Sequence, residues 1–405
     1  MLFFIKKIHK NIPSNIREFY MPLVEKILYG IQWCMNFLYP SVTIFEGFEK
    51  NSKFPLTFAY IGSAFHKENA YDPQLEQYWS QICLCDGYRR QDMGRHFIWD
   101  ILVFLKNLPF KCDFFLIEED LLSSRCFHTV PGFKTPHWIN LEIDITPPIE
   151  ELFGTQRREI PRKIRKNNLS YLMANDKKSF DDFYYNMFLP YISTKHAATA
   201  DITSYQEMFR IFSRGGLILI KKGDEAVAGG LLEFVGQQVR ARRLGVREGK
   251  MEYVQDGVLG ALYYFPAVEM KKKGFTSLLT GGARPHFSNG VFKHKLLLGA
   301  QMVKEKRLPC LYLGLLNNSV SVKHLLTNNS FIFIDKEKNF YRALFGEIRA
   351  GKLPQESEAL LQLSCGGLKG TVFFAFNELN NPPVENLPGE HPYVLKFFKD
   401  MLIKQ

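Results

Sequence analysis

The sequence predicts an α+β fold, α/β layered, in which a mixed, mostly antiparallel sheet is flanked by helices. Three observations predict it. Leu217 to Lys221, Ala226 to Phe234 and Gln237 to Leu244 read as successive strands, with Gly223-Asp224 as the first turn. A largely apolar helix, Gly257 to Lys273, comes next, and a further strand, Phe275 to Thr280, follows it. Finally, 405 residues of which 46% are hydrophobic and 14% aromatic supply material for more than one core, so two domains are expected.

Each element can be justified in order. Met1 to Ile5 is a short apolar start broken by Lys6, Lys7 and Lys10, without the small-residue cleavage site of a signal peptide. Val24, Ile27, Leu28, Ile31 and Met35 then fall at helical spacing, and Ile27 to Tyr39 is uncharged. That stretch is shorter than the roughly 20 apolar residues of a membrane-spanning helix. Two readings of this amphipathic segment, residues 1–45, stay open: a helix on an anionic membrane surface, or one packed on its own domain. Residues 54–61 read as a strand, 72–86 and 92–107 as helices, and Asp113 to Glu118 and Trp138 to Ile145 as strands. Thr146 is a candidate helix cap before Pro147-Pro148. Arg157, Arg158, Arg162, Lys163, Arg165 and Lys166 then crowd one basic helix.

Helices are expected at Ser179 to Leu189 and Tyr205 to Ser213, the second closed by Gly215-Gly216. The helix from Gly257 is apolar around most of its circumference and carries Pro266, so burial on several sides and a kink are expected. After Phe275 to Thr280 comes a loop dense in turn residues and charge, Thr280 to Lys295, with Gly281-Gly282 and Asn289-Gly290 as turns and a helix from Val291. Leu311 to Leu315 reads as the last strand of this sheet. Residues 380–392 read as a turn-rich loop, and Tyr393 to Ile403 as a final helix. No repeat or low-complexity tract interrupts the chain.

The formal net charge of +11 points to an anionic partner, whether nucleic acid, a phosphorylated co-substrate or an acidic membrane, against the plainer reading of a surface lysine excess. Seven cysteines, with no C-x-x-C and only a two-residue Cys83/Cys85 spacing, suit reduced thiols rather than a zinc site. No G-x-S-x-G, Walker A or H-E-x-x-H occurs, which removes the hydrolase and P-loop classes.

Residues 138–315 resemble the GNAT acyltransferase superfamily, and within it the branch shared with Fem-type peptidoglycan aminoacyltransferases. The basic helix Arg157 to Lys166, the small-residue return Ala228-Gly229-Gly230, and the helix that opens after Tyr253 to Gly257 with Ala261 to Phe265 inside it carry the resemblance. So does Gly281 to Gly299, which reads G-x-x-R-P, then G-V-x-x-x-K and a closing glycine. The sequence departs from the pattern at Leu298-Gly299, where a tryptophan and glycine are usual. Gln255 to Gly260 also lacks the leading basic residue of a CoA phosphate loop.

The resemblance implies two GNAT-like halves, at 46–150 and 151–345, with a C-terminal extension at 346–405. It implies transfer of an acyl or aminoacyl group from CoA, an acyl carrier or aminoacyl-tRNA to an amine or hydroxyl acceptor. No permanently bound cofactor or metal is expected, and the setting is cytoplasmic, with the inner face of the membrane as an alternative station. Acyl-CoA is favoured over tRNA, because no sustained heptads build a coiled-coil arm. Arg284, Lys293 and Lys295 are the candidate anion clamp, joined by Arg158, Arg162, Gln255 and Gly257. Asp256, His286 and Glu233 are the candidate acid–base groups, although Asp256 reads rather more readily as a helix cap. The rival class is a catalytically silent GNAT-fold protein that uses its basic face to hold an anionic ligand, nucleic acid or membrane.

Overall fold

The computed structural model describes residues 38–62, 75–119, 126–127, 129–196, 202–305, 308–349, 352–363, 365–377 and 393–403. The expectations for residues 1–37 and for the loop 380–392 lie outside these. The chain begins with β1 (Ser41–Phe48), β2 (Pro55–Gly62), α1 (Leu75–Cys83), β3 (Arg89–Arg95), α2 (Ile101–Lys106), β4 (Phe114–Glu118), β5 (Phe133–Pro136) and β6 (Ile139–Asp144). It continues with α3 (Glu159–Lys166), β7 (Leu169–Ala174), α4 (Lys177–Phe183), α5 (Leu189–His196), α6 (Tyr205–Arg214), β8 (Gly216–Lys222), β9 (Glu225–Val235) and β10 (Gln238–Val246). Next come α7 (Met251–Asp256), α8 (Val258–Lys272), β11 (Ser277–Ala283), α9 (Gly290–Leu297), β12 (Gln301–Met302) and β13 (Cys310–Leu315). The last are α10 (Val320–Asn328), β14 (Phe331–Ile334), β15 (Phe340–Gly346), α11 (Gln355–Leu361), β16 (Leu368–Ala375) and β17 (Tyr393–Phe397).

These form two compact units. The first takes residues 1–133, 309–325 and 401–405, the second residues 134–308 and 326–400. In unit 1 the strand order β3-β1-β2-β4-β13 joins β1 antiparallel to β2 and β3, β2 parallel to β4, and β4 antiparallel to β13. Alternation does the rest. Val42, Ile44, Ala59, Ile61, Phe115 and Ile117 face one core with Ile101 and Leu105 of α2. On the opposite face Phe45, Phe58 and Phe114 stack in a row, at 4.9 and 5.0 Å between ring centroids.

Unit 2 holds the mixed, mostly antiparallel sheet, in the order β12-β6-β11-β10-β9-β8-β7. The β10–β11 pair is its one parallel neighbour pair, because α8 carries the chain across between them. α8 is buried at Val258, Ala261, Leu262, Tyr263, Pro266, Ala267 and Met270, in keeping with its all-round apolar sequence. Asp176 caps α4 at the Ser179 N–H, and the helix runs through a π-helical turn, Tyr184–Phe188, into α5. Phe180, Phe183, Met187 and Phe188 pack there with Met208 and Phe212 of α6 and with Leu217, Leu219 and Leu231. A separate sheet, β14-β15-β16-β17, completes the unit.

Several expectations are corrected. Residues 92–107 are not one helix: β3 runs to Arg95 as the partner of β1, and only Ile101–Lys106 is helical. Thr146 caps no helix; its N–H and hydroxyl both bond Asp144, and Pro148 leads into a 3₁₀ turn. Leu311–Leu315 belongs to the sheet of unit 1, beside β4, and the edge of the unit 2 sheet is β12. Tyr393–Phe397 is a strand parallel to β16, as its β-branched and aromatic residues favour. Apart from these corrections, the two units divide at 133/134 and β15 runs across 345.

Candidate active site

The parallel pair β10–β11 is short. Gln238, Val239 and Arg240 pair with Ser277, Leu278 and Leu279, and there the ladder ends. Both strands continue, but each pairs only with its outer neighbour: β10 with β9 as far as Val246, β11 with β6 as far as Ala283. The sheet therefore opens into a wedge. Its cause is two bulges, one on each lip. On β10, Ala241 and Leu244 face Leu232 and Gly230, so one extra residue is absorbed at Arg242-Arg243. On β11, Leu279 and Gly281 face Glu142 and Leu141, and Thr280 is the extra residue, its hydroxyl donating to the Leu141 carbonyl at 3.0 Å. Bulges bend a strand and increase its twist, and here they turn two neighbours apart at the same level.

Gly281-Gly282, expected as a loop turn, thus lies inside β11. Gly281 has φ +80°, and a Cβ there would stand 3.5 Å from the Ala241 carbonyl oxygen across the gap and 3.8 Å from Lys295 Nζ. That second distance places Lys295 at the apex. α9 begins at Gly290, with Asn289 Oδ1 accepting the Phe292 N–H. Phe292, Lys295 and Leu296 form its buried side. Lys295 is only 4% exposed, and its Nζ donates to the carbonyls of Gly281 at 2.8 Å and Gly282 at 2.9 Å. No carboxylate pairs with it among the described residues. Burial therefore brings its pKa from the ordinary 10.5 down to about 7. Lys293, two residues earlier, points the other way and is exposed.

Tyr263 of α8 and His294 of α9 lie ring to ring at 6.3 Å, so these two helices meet beside Lys295. Burial, with Tyr191 adding to it, raises the Tyr263 phenol well above its usual range. Sequence reasoning missed Tyr263 and both bulges.

The other candidates fall into separate places. Arg284 is buried, its guanidinium 4.0 Å over the Trp138 ring and Nη1 donating to the His137 carbonyl at 3.2 Å. His286 is buried too. Desolvation, reinforced by Arg284, lowers its pKa to about 3, so it is a neutral ring and not the near-neutral base expected from the loop. Glu233 faces Arg242 at 3.3 Å and Arg240 at 3.9 Å. Asp256 pairs with Lys222 at 2.7 Å, and the cap residue of α8 is Gly257 instead, at φ +99°.

α3 lies along the α7–α8 junction. Lys163 Nζ donates to the Gln255 carbonyl at 3.2 Å, Asn167 donates to the Asp256 carbonyl at 2.7 Å, and any Cβ at Gly257 would strike the Lys163 stem. Arg162 and Arg158 are both exposed, and Arg162 is held by Glu159 through two 2.8 Å bonds. Among the described residues no cluster of three or more His, Cys, Asp or Glu could hold a metal, and no helix is long and apolar enough to cross a membrane.

No protein-family model and no curated protein matches this chain. Solved structures with which it has a weak likeness include FemX, at 12% identity over 67% of this chain and 83% of that one, with a TM-score of 0.35. The structure of L-PGS from Bacillus licheniformis is similar at 8% identity over 70% of this chain and 87% of that one, TM-score 0.30. A GCN5-related N-acetyltransferase from Kribbella flavida is similar at 10% identity over 80% and 68%, TM-score 0.28. At that level nothing about chemistry passes from those proteins to this one.

Proposed function

We propose that unit 2 is an acyltransferase whose wedge brings an activated acyl or aminoacyl donor and an amine or hydroxyl acceptor together in one ternary complex. The observation that carries this reading is Lys295, a buried lysine without a carboxylate partner among the described residues, at the point where β10 and β11 part. A buried charge of this kind costs stability, and a group titrating near 7 is suited to taking a proton at neutral pH.

A neutral Nζ has two N–H bonds and one lone pair. Both N–H groups are committed to the Gly281 and Gly282 carbonyls, so the lone pair is the remaining vertex. The acceptor nitrogen or oxygen attacks the donor carbonyl carbon and gives up its proton to Nζ. The bond from that carbon to the donor's sulfur or oxygen breaks, and the proton goes on to the leaving group. Strand edges left without a ladder offer backbone N–H groups to the oxygen on which charge gathers. Arg157, Arg158, Arg165 and Lys166, all exposed on or beside α3, suit the phosphates of a CoA or polynucleotide donor, which enters as co-substrate. Donors of these kinds are cytoplasmic, and so is the proposed reaction.

The test is acceptor-dependent consumption of acetyl-CoA, longer acyl-CoAs or charged total tRNA, followed by mass spectrometry over a panel of amines and alcohols. One donor should be consumed, and Lys295→Met should slow its consumption by about 10²–10⁴-fold. A donor that raises the melting temperature, is never consumed and binds the variant equally well would leave the silent binding protein as the better reading.

A further inference from the structure

We propose that unit 1 docks on an anionic membrane surface through an aromatic patch at Phe97, Trp99 and Val103. The proposal draws on no residue of the wedge. Folding leaves these three side chains 44%, 57% and 60% exposed, the Phe97 and Trp99 rings stack at 5.0 Å, and the Tyr39 ring lies 4.8 Å from that of Phe97. α2 shows why the patch needs an explanation. Ile101 and Leu105, one turn apart, meet the core, yet Val103 on the far side is apolar as well. Exposed apolar side chains that gather, rather than scatter singly, mark an interaction surface.

Two observations select a lipid surface as the occupant. The first is charge. From Arg89 to Lys111 the chain carries five Arg or Lys (Arg89, Arg90, Arg95, Lys106 and Lys111) against two carboxylates, Asp92 and Asp100. Arg90 is held by Glu76 at 2.7 Å, and the segment stays net positive without it. Exposed aromatic rings on a segment of net positive charge match the headgroup level of an anionic bilayer, where the rings enter the interface and cations meet lipid phosphates. The second is continuity. The Ile98 N–H donates to the Leu38 carbonyl at 3.0 Å, so the chain leads into this patch from residues 1–37. Their sequence holds Lys6, Lys7 and Lys10 and then the uncharged run that ends at Tyr39. The patch therefore lies where residues 38 and 39 enter, at the end of a run whose sequence suits the same interface.

The test is sedimentation of the full chain with phosphatidylcholine vesicles, made with and without phosphatidylglycerol, at low and raised salt. Binding should require the anionic lipid and weaken as salt screens it. Phe97→Ser with Trp99→Ser should lower partitioning at least about tenfold, since one aromatic side chain leaving water is worth that much. Its melting temperature should stay that of the wild type, both side chains being exposed. Lipids brominated in the acyl chain should quench wild-type tryptophan fluorescence more than that of Trp99→Phe, a variant that keeps binding. Absence of vesicle binding, or equal binding by the double variant, would overturn the proposal. So would a dimer in the absence of vesicles that the double variant abolishes, which would assign the patch to a second copy.

Discussion

Lys295 is where physics and chemistry meet in this molecule. Its ammonium has left water for two carbonyl dipoles, and that exchange does not repay desolvation, so the folded state releases the proton near pH 7 rather than 10.5. Between those values the unfolded chain binds the extra proton, so this group's contribution to stability rises with pH across that window. The slope is about 1.4 kcal/mol per pH unit. Unfolding by urea at pH 7 and pH 9 should show that gain in the wild type and lack it in Lys295→Met. Arg284 is a different case. Arg284→Ala should cost about 2–4 kcal/mol, by losing a buried guanidinium and its stack on Trp138, and it should act on the melting temperature before it acts on a KM. In the sequence Lys293, nearer the helix start, read as the stronger clamp residue and Lys295 as the weaker. The signal that separates them was present: Phe292, Lys295 and Leu296 share one helical face, and Lys293 lies off it. What no pattern contains is the pair of carbonyls that receives Nζ.

At the scale of elements, the opening between β10 and β11 depends on two bulges and a glycine. Gly281→Ala should cost about 1–2 kcal/mol for a left-handed backbone carrying a Cβ. It should also weaken donor binding, because the new methyl enters the apex; calorimetry of donor binding checks this. Gly245→Ala should be worse for stability, since a Cβ there would lie 2.6 Å from the Phe188 N of the π-helical turn that backs β10. Strands β8, β9 and β10 and helix α8 were legible from alternation and turn residues to within about two positions. The wedge was not. Glycine pairs mark turns and bulges alike, so Gly281-Gly282 read as a loop, and a one-residue change of register leaves no trace in composition. The π-helical turn was invisible for the same reason.

Across the whole molecule, the two-domain expectation and the layered α+β class follow from length, apolar content and periodicity. Which strand joins which sheet does not. β13 lies far along the chain from β4, and long-range pairing of this kind has no local signature; β17 likewise takes its conformation from β16. Each unit has its own core, so a bound donor should slow amide exchange in β10 and β11 and leave β1 and β2 of unit 1 as they were. The measurement that tests the central claim most directly is the rate of acceptor-dependent donor consumption against pH, for the wild type and Lys295→Met. The account predicts a wild-type rate that climbs to a plateau with a midpoint near pH 7, as Nζ loses its proton, and a low, flat profile for the variant. A variant that keeps both the rate and the midpoint would contradict it.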